Sequence, residues 1–389
     1  MLRRSLIIWA GIIAGASLGY FLVTYTNILN IGNKNMSSMA DVFKPPKKIV
    51  IGFLPFWLIN KAQADYSPYI TQLSYFNVTI SDDGSIQKYT FPGESDPGWH
   101  ALYTGKVDDY LAGAKAKGME LSITVFSGED EKINKFLEDP ATSAQNLIND
   151  LNPVISQYGF TDLNLDIEKV ADATPDQRIR YTNFVSEVRK RLDPKITITV
   201  DLTCISFVKD KNLGDPRALS KVADYLVMMG YDFHNQGSYV TGPVSPQSGA
   251  GVVSEFDIES AVQAALTQVP ANKLILAIPL YGYSWESINP IPRAAVLPGS
   301  AYSISSKSVE ELFAECATCS AEFDKTDAEN HIIYKDTETN TFYQVFYPDK
   351  NSTQIKVDFA KSQNLGGMAL WALGYEGASI LEPLAGYHH

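Results

Sequence analysis

The sequence predicts an α/β fold, a (β/α)8 barrel, on three observations. Eight apolar, β-rich stretches recur at a regular beat from Lys48 onward. Helical patterns lie between most of them. The stretch TDLNLDIEK, Thr161 to Lys169, alternates strictly between apolar Leu163, Leu165 and Ile167 and polar Asp162, Asn164, Asp166 and Glu168. Side chains of a strand point to opposite faces in turn. In a chain that alternates strands with helices, strands are covered on both faces, so a central strand of this kind aims its acids into the protein.

The strand candidates are KIVIGFLP, LSYFNVTI, ELSITVF, FTDLNLDIE, KITITVDL, YLVMMGYD, KLILAIPLYG and GGMALWAL. Among the helical patterns are VDDYLAGAKAKG, TPDQRIRYTNFVSEVRKRL and SEFDIESAVQAALTQV. The second opens on Thr174-Pro175-Asp176, a helix-start signal. Eight strands with crossovers suit a barrel of about 250 residues or more. A doubly wound open sheet is the alternative, but no glycine-rich phosphate loop follows the first strand. Between LAIPLYGYSW and GGMALW lie about eighty residues, more than one crossover needs. They read as a helix, a hairpin and the helix before strand eight. A small α+β insertion is therefore expected at about residues 286–350, between strands seven and eight.

Ahead of the barrel, Arg3 and Arg4 precede an apolar run with no charge before Lys34. Residues 1–31 read as a signal anchor or a cleaved signal peptide, with the rest of the chain exported. The length of the run favours the anchor, and hence one membrane-crossing helix; secretion is the alternative. Residues 32–47 read as a linker, and the catalytic-type barrel takes residues 48–389. The balance of 32 basic against 44 acidic residues, net −12, speaks against nucleic acid as a partner. Of three cysteines, Cys316 and Cys319 form a CATC pair able to close a disulfide outside the cell, and Cys204 reads as a buried thiol.

In a barrel, the last polar residues of a strand emerge at the C-terminal face, where active sites sit. Glu168 would stand there, with Asp166 one layer below and Asn164 below that. Carboxylates this close cannot all ionise near neutrality without cost, so a proton is shared and one pKa rises. A glutamate held protonated in this way is a general acid. A metal site or a structural hydrogen-bond network are the other readings of the row. The chain has five histidines. His388 and His389 form the tail, His331 lies in the insertion, and His100 and His234 alone are left as ligands. No metal and no cofactor is expected.

These residues together resemble the family-18 glycoside hydrolases, the chitinases and their relatives. TDLNLDIE is similar to the family's strand-four signature Asp-Gly-x-Asp-x-Asp-x-Glu. MGYDFH (Met229 to His234) resembles its Met-x-Tyr-Asp, AIPLYGYSW its strand-seven Gly-x-Pro-x-Tyr-Gly, GGMALWALGYE its strand-eight segment, and IGFLPFW its first strand. The resemblance implies a TIM barrel and a substrate-assisted mechanism, one exception to the usual two-carboxylate scheme. The sugar's own 2-acetamido oxygen attacks its anomeric carbon. By position, Glu168 would protonate the leaving oxygen and later activate water. Asp166 would orient the acetamido group, and Tyr231 would hydrogen-bond its carbonyl. Asp232 would bind the distorted sugar and Trp371 would floor the subsite. Tyr281 is placed in the cleft wall and Asn164 beside the substrate. Trp57, Trp99 and Trp285 are either sugar platforms or packing residues.

The departures from the family pattern are Thr161, Asp162 and Asn164, where the signature has Asp, Gly and Asp. Asn164 removes one place to hold the proton of Asp166, and Asp162, on the same face, is the candidate to replace it. The expected function is an exported hydrolase of β-1,4 bonds in N-acetylglucosamine-containing glycans, chitin-type or peptidoglycan-type. The alternative is a non-catalytic carbohydrate-binding protein on the same barrel.

Overall fold

The computed structural model describes residues 48–316 and 319–387. The expected anchor, the linker and the terminal histidines lie outside the described residues. Among the described residues, no helix is long and apolar enough to cross a membrane.

Each expected strand becomes one stave of a closed barrel: Ile49–Pro55, Gln72–Thr79, Glu120–Ser127, Asp162–Ile167, Thr197–Thr203, Tyr225–Met229, Leu274–Pro279 and Gly367–Trp371. All neighbours pair in parallel, and the ring closes where Ile49 pairs with Gly367. Helices cover most crossovers. The one at Pro175–Arg191 starts with a capping box, Thr174 and Gln177 bonding each other's backbone. The helix Pro140–Tyr158, capped by Asp139, ends at Gly159 with φ 72°, a left-handed turn that glycine makes without steric cost. The first crossover, residues 56–71, is built of turns rather than a helix.

Strand four shows how the barrel sorts its residues. Leu163, Leu165 and Ile167 face outward, in one apolar cluster with Leu147 and Leu151 of one helix and Phe184 and Val188 of the next. Burying each such side chain stabilises the fold by roughly 1.5–3 kcal/mol. The other face turns inward. Inside the barrel, strands one, two, six, seven and eight contribute Ile51, Phe53, Phe76, Val227, Ile275, Ala277 and Ala369. Strands three, four and five contribute Ser122, Thr124, Asp162, Asn164, Asp166, Thr199 and Asp201, all buried. One half of the interior is thus apolar and the other polar.

Between barrel strands seven and eight the chain builds a five-stranded antiparallel sheet, in the order Tyr302–Ser305, Tyr281–Ser287, Phe342–Tyr347, Glu329–Lys335 and Ala321–Asp324, with the helix Ser306–Glu315 against it. Its first strand follows the barrel strand almost directly. Tyr281 to Trp285, which read as the tail of strand seven, belong to this sheet. The Glu329 carboxylate accepts from the backbone N–H groups of Val244 and Ser245, at 2.8 and 2.7 Å, and so ties the sheet to the loop after strand six. Cys316 and Cys319 are joined in a disulfide. Cys204 is a buried free thiol.

Candidate active site

The polar row of strand four rises through the barrel in layers of different character. At the bottom, Asp162 is saturated. Its carboxylate accepts from Ser122 Oγ at 2.7 Å, Gln72 Nε2 at 3.2 Å, Thr197 Oγ1 at 2.5 Å and Thr199 Oγ1 at 2.9 Å. Burial raises its pKa, and the hydrogen bonds from Thr197, Ser122 and Thr199 offset that rise in part. With them in place, Asp162 is a structural anchor and is not the spare carboxylate that the loss of an acid at position 164 seemed to require.

One layer up, Asn164 is 1% exposed and donates from Nδ2 to Asp201 Oδ1 of strand five at 2.7 Å. It was expected beside the substrate. Instead it lies enclosed within the barrel and lines none of the cavities described below. Above it, Asp166 has a buried Oδ1 with no hydrogen-bond partner. Burial pushes its pKa well above the usual carboxylate range, and the charges of Glu168 and Asp201 add to the rise. Glu168 stands at the end of the strand, held by its backbone N–H on Ser127 O at 2.8 Å. Its pKa is raised first by burial and then by the charge of Asp232.

Asp232 follows strand six with φ 61°, a left-handed conformation that aspartate tolerates better than most residues. Its Oδ1 accepts from the hydroxyls of Tyr281 and Tyr283, the latter at 2.9 Å. Tyr281 therefore holds Asp232 as well as lining the cleft. Tyr231 packs edge-on to Tyr281, with ring centroids 6.2 Å apart. Trp371, at the end of strand eight, meets Phe76 at 4.6 Å, Phe53 at 5.9 Å and Trp57 at 6.4 Å between centroids, and these rings lock its orientation.

Asp166, Glu168, Tyr231, Asp232, Tyr281 and Trp371 all line one cavity of about 440 Å³ over the barrel mouth. Trp57, Asp232, Tyr281 and Trp371 also border a wider cleft of about 870 Å³, whose far wall is Tyr302 to Ser305 of the inserted sheet and Lys307 of the helix that follows. The arrangement offers a buried pair of carboxyls with raised proton affinity, a phenol and an aromatic floor, beside a larger cleft that shares Trp57, Asp232, Tyr281 and Trp371. That is equipment for protonating a leaving group in a glycan.

A model of the "Glycosyl hydrolases family 18" matches residues 63–376. The chain belongs to glycoside hydrolase family 18, a family of glycosidases. A cortical fragment-lytic enzyme of Bacillus cereus is 26% identical over 322 residues, 82% of this chain and 67% of that protein. A class V chitinase of Arabidopsis thaliana is 27% identical over 270 residues, 63% of this chain and 66% of the other. The fold is shared with the crystal structures of the spore cortex-lytic enzyme of Bacillus cereus (TM-score 0.71, 23% identity, 89% of this chain and 75% of that one) and of the class V chitinase of Nicotiana tobaccum (TM-score 0.74, 16%, 87% and 98%).

Within this family-18 barrel some tryptophans fall outside the cleft. Trp285 is fully buried and donates Nε1–H to Asn235 O at 3.2 Å, so it is a core residue and no sugar platform. Trp99 stacks on Tyr103 at 6.2 Å with the Lys88 ammonium over its ring and lines neither cavity. Trp57, 46% exposed, is the extra tryptophan that reaches the groove. His234 is spent on Pro243 O at 2.8 Å, and His100 is exposed on a helix of the second crossover. Among the described residues no group of three or more His, Cys, Asp or Glu is arranged to hold a metal ion.

Two residues escaped the sequence reading. Tyr283 lies on the same face of its strand as Tyr281 and shares its task on Asp232. Asp201 closes the polar face Thr197, Thr199, Asp201 of strand five, and the alternation that exposed strand four was present there too.

Proposed function

We propose that this chain is an exported hydrolase of β-1,4 bonds in N-acetylglucosamine-containing glycans, acting through a substrate-assisted, retaining mechanism. The observation that carries the reading is the position of Glu168, at the top of a buried acid row and facing a cavity shared with Tyr231, Asp232 and Trp371. Glu168, whose proton affinity is raised by burial and by Asp232, gives its proton to the leaving glycosidic oxygen. The acetamido oxygen of the same sugar forms the new bond to the anomeric carbon. Asp166 shares one proton with Glu168; with that proton on Glu168, its carboxylate accepts the acetamido N–H and stabilises the positive charge that develops, and Tyr231 donates to the acetamido oxygen. Water, activated by Glu168, then opens the ring intermediate and leaves the original anomeric configuration. Trp371 floors the reacting sugar, and Asp232, fixed by two tyrosines, holds it distorted.

A glycan of the bacterial wall and chitin share the acetamido group that this chemistry needs. Relatives named for cortex lysis and for chitinase activity are both similar to the chain. The apolar N-terminal run behind Arg3 and Arg4 and the Cys316–Cys319 disulfide support export, with residues 1–31 as the membrane anchor.

The test is incubation with N-acetylglucosamine oligomers and with purified bacterial wall, reading product masses and the anomer first released by NMR. Initial release of the β-anomer from either substrate is the expected result. Oligomers bound but left whole would mean a carbohydrate-binding protein instead.

A further inference from the structure

Asp201 is 4% exposed, yet the barrel provides it with one side-chain hydrogen bond, from the Asn164 amide at 2.7 Å. Asp162, four residues' register away on the same polar face, has four donors. The contrast matters because a buried carboxylate with a single amide donor is costly to keep for stability alone. The groups acting on Asp201 and its neighbour Asp166 are Asn164, Asp162, Glu168, Tyr181 and Tyr231, and none is a cation.

Register explains its position. Leu165 pairs with Val200, so one step further along the parallel pair Asp166 and Asp201 come side by side, pointing into the barrel. The amide of Asn164 spans the diagonal between the strands. Because Nδ2 is committed to Asp201, the Asn164 carbonyl must face elsewhere, and Asn164 Oδ1 is a buried acceptor without a partner. Asp166 Oδ1, on the same face of the same strand, is also buried without one.

Resting on the glycosidase reading above, we infer that Asp201 is a positioning residue of the acid row. It fixes the Asn164 amide and supplies, from strand five, the second buried carboxylate that position 164 does not carry. A charge on Asp201 beside the row raises the proton affinity of Asp166. Moving one carboxylate to the neighbouring strand thus preserves the number of acids under Glu168 while exchanging their places.

The exchange can be reversed experimentally. Four full-length proteins are compared: wild type, Asp201→Asn, Asn164→Asp and the double swap Asn164→Asp/Asp201→Asn. Each is assayed for kcat, KM and the pH–rate profile on N-acetylglucosamine tetramer, and for melting temperature. Asp201→Asn should lower kcat by about tenfold or more with KM little changed, since the row loses alignment rather than contact with substrate. Its alkaline limb should move to lower pH, because a charge that held protons in the row is gone. The swap should recover most of kcat and return the limb toward the wild-type position. A folded Asp201→Asn with wild-type kcat and profile would overturn the inference, as would a folded swap no better than the single variant.

A readout independent of turnover separates this inference from the functional reading. Infrared difference titration of the free proteins follows the carboxyl band of the row. If wild type cleaves no glycan, the glycosidase reading fails. A shift of that band between wild type and Asp201→Asn then still supports the coupling, and identical titrations refute it. Should Asp201→Asn not fold, the same titration of Asn164→Asp decides: a second carboxylate against Asp201 must displace the row's protonation, and an unchanged band refutes the pair.

Discussion

The two halves of the barrel interior do different work with the same backbone. Ile51, Phe53, Phe76, Val227, Ile275, Ala277 and Ala369 fill one side by dispersion and burial. The other side holds Asp162, Asn164, Asp166 and Asp201, of which only Asp162 is fully partnered. A close-packed apolar half contributes stability, whereas an under-satisfied polar half costs it. The fold tolerates the second because the first, together with the outward apolar faces, supplies the surplus. The difference teaches that one half is packed throughout, whereas the acid row is fully hydrogen-bonded only at its base and carries unpartnered oxygens above it.

The largest expected effect comes from breaking the top of the polar half. Glu168→Gln should lower kcat by about a thousandfold while glycan binding, followed by calorimetry, is retained. Next, Tyr231→Phe should cost about a hundredfold in kcat by removing the donor to the acetamido oxygen. On the apolar side the outcome is inverted. Ile275→Ala should cost about 3 kcal/mol in denaturant unfolding through the cavity it leaves, with little change in kcat below the melting transition.

Charge sharpens the comparison further. Asp232→Asn removes the second cause of the raised Glu168 pKa, so the alkaline limb of the pH–rate profile should fall at lower pH. The smallest effect is on stability. Asp166 has its folded pKa raised, which means that its protonated form favours the native state. That contribution is complete below the unfolded value of about 3.9 and is lost as pH rises through the folded one. Asp166→Asn carries no such loss, so at neutral pH it should melt about 2 °C or more above wild type while being inactive. Differential scanning calorimetry at acid and neutral pH checks the sign.

The barrel and its acid row were legible because both depend on period: eight apolar runs, and one strict alternation ending in Glu168. Asp201 was not, although its strand alternates too. In KITITVDL a lone acid after two threonines looks like a solvent-facing residue, and only closure of the ring turns that face inward. Trp285 illustrates the reverse failure, since an aromatic in a β-run carries no mark of core or cleft, and burial decides it. The roles of Tyr281 and Tyr283 depend on the inserted sheet starting right after strand seven. That bend brings their hydroxyls to a carboxylate some fifty positions earlier in the chain, at Asp232. Asn164 was misplaced for a related reason. Its neighbour across the sheet, not its own strand, sets where its amide points.

The central claim is that Glu168 donates the proton that releases the leaving sugar. It is tested most directly by comparing how much Glu168→Gln loses on two substrates, N-acetylglucosamine tetramer and an aryl β-glycoside of N-acetylglucosamine dimer with a strongly acidic phenol. The phenol departs without protonation, and the sugar alkoxide does not. The account predicts a loss in kcat/KM at least about tenfold larger on the tetramer than on the aryl glycoside. Equal losses on the two would contradict it, leaving Glu168 a binding or structural residue.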